Sequence, residues 1–290
     1  MSTSAPAADA TARRVALWRA LHREIDSLPS VFDDDIALPL ADPESTWRSR
    51  GDMGPATARA RASIVARARL AEDVVEAKAQ DGIEQYVILG AGLDTFAQRR
   101  ADLTKTLTVF EVDRPDTQRW KRNRLVALGF ASTKQTFVPV DFDQGEDWWL
   151  KLNESGFDPR RGAVFASLGV SMYLSAQANE STLGLIGSAQ DSTFVVSFQV
   201  PPEMVEPGER RTHQSVKRGA QRGGSPWQSA YRPEDLMSSA RRRGFDDVEH
   251  VSPDVLRDRY FSGRPDSLMP SSIEHLLVLA GSGRRDGTAS

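Results

Sequence analysis

Short apolar runs alternate with longer amphipathic stretches from about residue 85 onward. Tyr86-Val87-Ile88-Leu89, Leu107–Val112, Thr136–Val140, Gly162–Leu168 and Thr193–Phe198 are rich in β-branched and aromatic residues and have the length of buried strands. Between them, Pro115 opens a helical stretch through Leu128, and another runs from Ala176 to about Ala189. Strands alternating with helices predict a parallel, doubly wound α/β sheet with its ligand crevice at the carboxyl ends of the strands. Arg232–Gly244 reads as a further helix, followed by strands at Phe245–Val251 and His275–Ala280. Upstream, residues 13–28 (Val15, Leu17, Trp18, Leu21, Ile25) and Thr57–Ala79 have helical periodicity and predict an N-terminal helical cap over 13–80. The pattern thus predicts one domain over 13–281, with a Rossmann-like core from residue 81 and flexible tails at 1–12 and 282–290.

The first strand runs into Gly90-Ala91-Gly92 and a predicted helix. Glycines there let the backbone turn sharply and let a ligand approach without meeting a Cβ. A helix starting at such a turn would offer free N–H groups to an anionic or polar ligand. The next strand ends in Glu111-Val112-Asp113, and an acid at that tip is how nucleotide-binding sheets hold ribose hydroxyls. The dinucleotide fingerprint needs a third glycine three residues after Gly92, where this chain has Thr95. That disfavours a pyrophosphate-bearing cofactor and favours S-adenosylmethionine.

Other stretches keep two readings open. Arg67 shares a helix face with Ile64, Ala71 and Val74, so it either snorkels to water or has a buried partner. If its helix abuts the cofactor pocket, it could hold a carboxylate bidentately. Asp141-Phe142 could present an acceptor and a ring to adenine, or serve as a helix cap and a core aromatic. Trp148 and Trp149 read as core or subunit contact, and the acids Asp33–Asp35 as a turn or cap rather than a metal site. Residues 200–231 show little periodicity and carry Arg210, Arg211, Lys217, Arg218 and Arg222, which suits either a lid over an anionic substrate or a solvated loop.

Composition narrows the functional classes. The chain has 290 residues, net charge −3 and no cysteine, so a nucleic-acid partner is disfavoured and thiol chemistry is excluded. No signal-peptide pattern and no membrane-length apolar run are visible, so a cytoplasmic location is expected. His22, His213, His250 and His275 form no persuasive pair with an acid, and no metal site is expected.

Arg67-Ala68-Arg69, Val87 to Thr95 with its Gly-Ala-Gly-Leu-Asp-Thr, Val109 to Pro115 with Glu-Val-Asp-x-Pro, Val138 to Phe142, and Gly169 to Leu174 together resemble the leucine carboxyl methyltransferase family of S-adenosylmethionine-dependent O-methyltransferases. They are most similar to its bacterial branch, which includes polyketide carboxyl methyltransferases. The resemblance runs from about residue 13 to 280. It implies a class I seven-stranded sheet whose last strand is antiparallel, and methylation of a small-molecule carboxylate with S-adenosylhomocysteine as product. By the same resemblance, Arg67 grips the methionine carboxylate, Gly90, Ala91 and Gly92 pass under the cofactor, Asp113 takes the ribose, and Asp141 and Phe142 flank the adenine. The family has a Glu before Gly169 that helps hold the cofactor, and this chain has Leu168. The family's Asp-Thr-Arg-x-x-Arg reads here Asp94-Thr95-Phe96-Ala97-Gln98-Arg99. Tyr173 is the candidate for contact with the acceptor, with a core tyrosine as the other reading. Methylation of a hydroxyl, which would require a base, and non-catalytic binding of the cofactor are the competing functional classes.

Overall fold

In a computed structural model, residues 10–130, 134–222 and 224–282 are described. Of the expected tails, 1–9 and 283–290 lie outside these residues, and 10–12 are helical. The chain opens with α1 (Ala10–Ile25), α2 (Ala37–Ala41), 3-10 turns between Trp47 and Thr57, and α3 (Ala58–Gln80). There follow β1 (Gln85–Leu89), α4 (Phe96–Arg99), β2 (Thr108–Asp113), α5 (Pro115–Ala127), β3 (Gln135–Pro139), α6 (Trp148–Glu154), β4 (Ala163–Ser167), α7 (Ala176–Ser188) and β5 (Ser192–Gln199). The last part comprises α8 (Arg210–Arg222), α9 (Pro233–Arg242), β6 (Asp247–Val251), α10 (Pro253–Tyr260) and β7 (Glu274–Gly281).

The seven strands lie in the order β3-β2-β1-β4-β5-β7-β6. Strands β1 to β5 are parallel, and β7 is antiparallel to both its neighbours. Strand order therefore reverses at β1 and β4, where the crossovers diverge and leave a crevice. Alternate residues feed opposite faces: Val87 and Leu89 pack with Phe110, Phe165, Phe194 and the residues of α6, α7 and α9. Tyr86 and Ile88 pack with Val109, Val164 and the apolar side of α3 and α10. Because both faces are covered, these strands read as continuous apolar runs rather than as alternating ones. A third cluster (Ala16, Leu17, Leu40, Trp47, Met53, Leu93, Leu125) seats α1 and α2 beside the turn after β1.

Predicted strand ends shift by one or two residues, and several short elements are additional. Trp148 and Trp149 sit in α6, in or against the core. Ile25, expected on the apolar face of α1, is exposed. The helix expected after Gly92 is only one turn long, α4, so no extended dipole points at the glycine turn. Residues 200–231 contain α8, of which His213 alone is buried. Its periodicity lies in its cations: Arg210 and Lys217, and Arg211, Arg218 and Arg222, occupy one half of the helix. A search for recurring apolar residues does not detect such a helix.

Glu111 corrects its assignment to the cofactor. Its side chain is fully buried, with Oε2 accepting from Lys121 Nζ at 2.5 Å and Oε1 accepting from Gln135 Nε2 at 2.5 Å. Glu111 and Asp113 lie on the same side of β2, but Glu111 stands two positions back from the strand end, where it meets α5. Burial pushes its carboxyl up to about 7, with Lys121 opposing the rise. A buried ion pair of this kind is costly to break from one side. Lys121→Met is expected to destabilise the protein by about 3–5 kcal/mol at pH 8, where the orphaned Glu111 must stay ionised or take up a proton. The loss shrinks towards pH 5, near the carboxyl's unfolded pKa, as urea titrations at the two pH values would show. Replacing both residues (Glu111→Leu with Lys121→Met) should restore most of the stability.

Candidate functional site

A cavity of about 330 Å³ opens at the carboxyl ends of β1, β2 and β4, within the roughly 300–1,000 Å³ usual for small-molecule sites. Its floor is the turn after β1. Gly90 and Ala91 N–H donate to Val112 O at 2.8 and 3.2 Å, which fastens the turn to β2. Gly90 has φ +66, and a Cβ there would lie 2.4 Å from Val170 Cγ2, so both backbone and space require glycine. The N–H of Gly92 donates to Asp113 Oδ2 at 2.5 Å, and Arg114 N–H donates to Asp113 Oδ1 at 2.6 Å. Asp113 thus sits at the tip of β2 in the cavity wall, oriented by two backbone donors.

The turn is also held from the cap side. Arg19 donates through Nη2 to Leu93 O at 2.6 Å and through Nε to Asp34 Oδ2 at 2.7 Å. Thr95 Oγ1 donates to the same Asp34 oxygen at 2.7 Å, and Arg99 Nε donates to Thr95 Oγ1 at 2.9 Å. Arg99 also pairs with Glu72 of α3. Asp34 is almost wholly buried, which by itself would raise its carboxyl pKa, but Arg19 and Arg99 hold it below the usual carboxylate value. Its Oδ1 accepts from Ile36 and Ala37 N–H at the start of α2, the capping role expected of the Asp33–Asp35 run.

The structure brings together Arg67, Gly90, Ala91, Gly92, Asp113, Phe142, Leu168 and Tyr173 in one wall. Arg67 does not snorkel to water: it is buried and donates through Nη1 to Glu274 Oε1 at 2.5 Å. Tyr173 closes a 3-10 turn after β4, and its carbonyl accepts from Gln228 Nε2 at 2.6 Å. Asp141 is not among the lining residues. Its Oδ1 accepts from Gln144 N–H at 3.3 Å, so it serves the following turn as a cap, the second of its two sequence readings. Phe142 is exposed to the cavity and also packs against the core.

Sequence reasoning missed Thr11, Ala12, Arg19, Tyr86 and, from the segment Gly224–Gln228, Gly224, Ser225, Pro226 and Gln228, all on the cavity wall. Arg19 carried a usable signal, an arginine among Ala16, Leu17, Ala20 and Leu21 on a buried helix face. Gly224 to Gln228 had none, since they belong to an aperiodic stretch placed only by tertiary contacts such as Gln228 N–H to Met172 O at 2.7 Å.

Comparison with known proteins agrees with this geometry. The family model described as leucine carboxyl methyltransferase matches residues 12–187. The Bacillus subtilis (strain 168) protein "Putative S-adenosyl-L-methionine-dependent methyltransferase YktD" is 32% identical over 254 residues, covering 86% of this chain and 81% of that one. A Frankia alni relative, "Putative S-adenosyl-L-methionine-dependent methyltransferase FRAAL5401", is 28% identical over 94% of this chain and 86% of its own. The crystal structure of a "putative methyltransferase" from Thermobifida fusca YX superposes with a TM-score of 0.58 at 19% identity over 96% of both chains, a likeness of fold. With the family model spanning more than half its length and a relative at 32% identity along most of it, the chain belongs to the leucine carboxyl methyltransferase family.

Proposed function

We propose that this S-adenosylmethionine-dependent methyltransferase esterifies a carboxylate of a small molecule. The observation that supports this reading is the make-up of the cavity wall. Among the described residues it contains no histidine, lysine or glutamate, so the side chains in the wall that could act as a general base are Asp94, Asp113, Tyr86 and Tyr173, and a tyrosine is protonated at neutral pH. Both aspartates already accept backbone hydrogen bonds, Asp94 from Phe96 N–H at 2.7 Å and Asp113 from Gly92 N–H at 2.5 Å. A carboxylate acceptor, with a pKa near 4, is ionised at neutral pH and needs no base, whereas a hydroxyl acceptor would.

The wall fits the cofactor. The bare backbone of Gly90–Gly92 leaves room for its passage, Asp113 offers an acceptor to ribose hydroxyls, and Phe142 offers a face to adenine. Arg67 supplies a buried guanidinium for the methionine carboxylate. When bound, S-adenosylmethionine supplies an electrophilic methyl carbon, which gains a bond to the acceptor oxygen as its bond to sulfur breaks and leaves the electron pair on sulfur. No proton is transferred. The chain's own residues therefore act by alignment and by excluding water, which for well-oriented reactants is worth roughly 7–11 kcal/mol. Leu168, Val170 and Leu174 make the wall near Tyr173 apolar and so weaken hydration of the acceptor carboxylate. Tyr173, a lining residue, is the hydroxyl we assign to the acceptor carboxylate as hydrogen-bond donor. Gly224–Gln228, following the cationic α8, closes the same side and serves as the lid over an anionic substrate.

Four outcomes test this reading. Incubation with methyl-labelled S-adenosylmethionine and host extract, followed by mild base, should release labelled methanol, as an ester does and an ether does not. With a purified acceptor, kcat should stay flat between about pH 6 and 9, because no base titrates. A rising limb with a pKa near 7 would mark a hydroxyl acceptor. Asp113→Ala should weaken cofactor binding about ten- to a hundredfold by calorimetry, the loss of roughly 1.5–3 kcal/mol expected for hydrogen bonds to a charged group. Tyr173→Phe should lower kcat by about tenfold while leaving the cofactor Kd unchanged, and unchanged turnover would remove Tyr173 from the acceptor site.

A further inference from the structure

Arg59, Ser63 and Arg67 recur at every fourth residue of α3 and so share one face of it. Each meets the segment that leads into β7. Arg59 donates through Nε and Nη2 to Pro270 O at 3.2 and 3.1 Å, and Ser63 Oγ accepts from Ser271 N–H at 2.9 Å. Arg67 then donates through Nη1 to Glu274 Oε1 at 2.5 Å. Glu209 completes the seam by accepting from the hydroxyls of Ser271 and Ser272 and from Ser272 N–H at 2.7–2.8 Å. Glu274, first residue of β7, lies opposite Gln199 at the end of β5. It is only 7% exposed and is not among the residues that line the cavity, whereas Arg67 is.

The flank of the guanidinium is equally defined. Gly169 has φ +75, and a Cβ there would lie 2.6 Å from Arg67 Nη2 and 2.9 Å from Nη1, so the guanidinium lies against bare backbone. Gly169 is itself anchored by its N–H donating to Ser197 Oγ at 2.7 Å. Leu168, where the family carries a Glu, brings no charge to this corner, and the acid that meets Arg67 comes from 207 residues further along the chain.

We propose that Glu274 is a positioning residue that aims Arg67 at the carboxylate end of the cofactor. The inference rests on the cofactor reading above. Glu274 engages Nη1 from behind, Gly169 sets the plane of the guanidinium, and the remaining N–H donors of Arg67 are left for a second carboxylate. Without Glu274 the guanidinium has other rotamers open to it and no longer presents a pre-aligned fork. Glu274 touches neither the cofactor nor the acceptor and acts only through Arg67.

The test compares two ligands that share the nucleoside but differ at the amino-acid end. S-adenosylhomocysteine carries the carboxylate, and 5′-methylthioadenosine lacks it. In calorimetric titrations of the full chain, Glu274→Gln should weaken S-adenosylhomocysteine at least tenfold and leave 5′-methylthioadenosine within about twofold of wild type. In an Arg67→Gln background, Glu274→Gln should add no further loss, because its effect passes through Arg67. If Glu274→Gln does not fold, Glu274→Asp, which retracts the carboxylate by one methylene, takes its place with the same selective pattern at smaller size. An unchanged affinity for S-adenosylhomocysteine, or an equal loss for both ligands, overturns the positioning role. Wild-type protein that binds neither ligand removes the cofactor reading, and this proposal with it.

Discussion

Asp34 is the point on which the site is hung. One buried carboxylate accepts from Arg19 of α1, from Thr95 after the glycine turn and from the backbone at the start of α2. Arg99 joins it through Thr95 and reaches Glu72 on α3. Charges so deeply buried are tolerable only as a closed network, since removing one partner leaves another uncompensated. The network joins the N-terminal helices to the turn that floors the cavity, so cap and sheet are positioned as one assembly. Arg19, whose other donor holds Leu93 O, also contributes to the cavity wall.

The sheet supplies the rest by topology. Reversal of strand order between β1 and β4 leaves their carboxyl ends uncovered by crossovers, and the residues just past those ends converge there. Gly90, Asp113 and Leu168 meet in the cavity although dozens of residues separate them in the chain. What the wall lacks among its described residues matters as much as what it holds. The four histidines lie elsewhere, so the wall holds no imidazole, in keeping with the proposed carboxylate acceptor, for which orientation and desolvation suffice.

Near neighbours in sequence can have opposite assignments. Glu111 and Asp113 stand two residues apart at one strand end, and both read as cofactor acids. Pleating sends both to the same side of the sheet, and position along the strand separates them: Glu111, within the strand, packs against Lys121 of α5, whereas Asp113, at the last position of the strand, lies in the cavity wall. Asp141 and Phe142 part in the same way, the acid capping a turn and the ring lining the cavity.

By itself the sequence determined the order of strands and helices, the doubly wound class, the glycine turn and Asp113, because local periodicity and strand-end chemistry are written within a few residues of one another. It also marked Arg67 as a charge on a buried face, for the same reason. Tertiary structure alone decided which acid meets that arginine, which of two neighbouring carboxylates faces the cavity, and that Gly224, Ser225, Pro226 and Gln228 lie on its wall. Those outcomes depend on contacts between residues far apart in the chain, and no local pattern in the sequence encodes such distances.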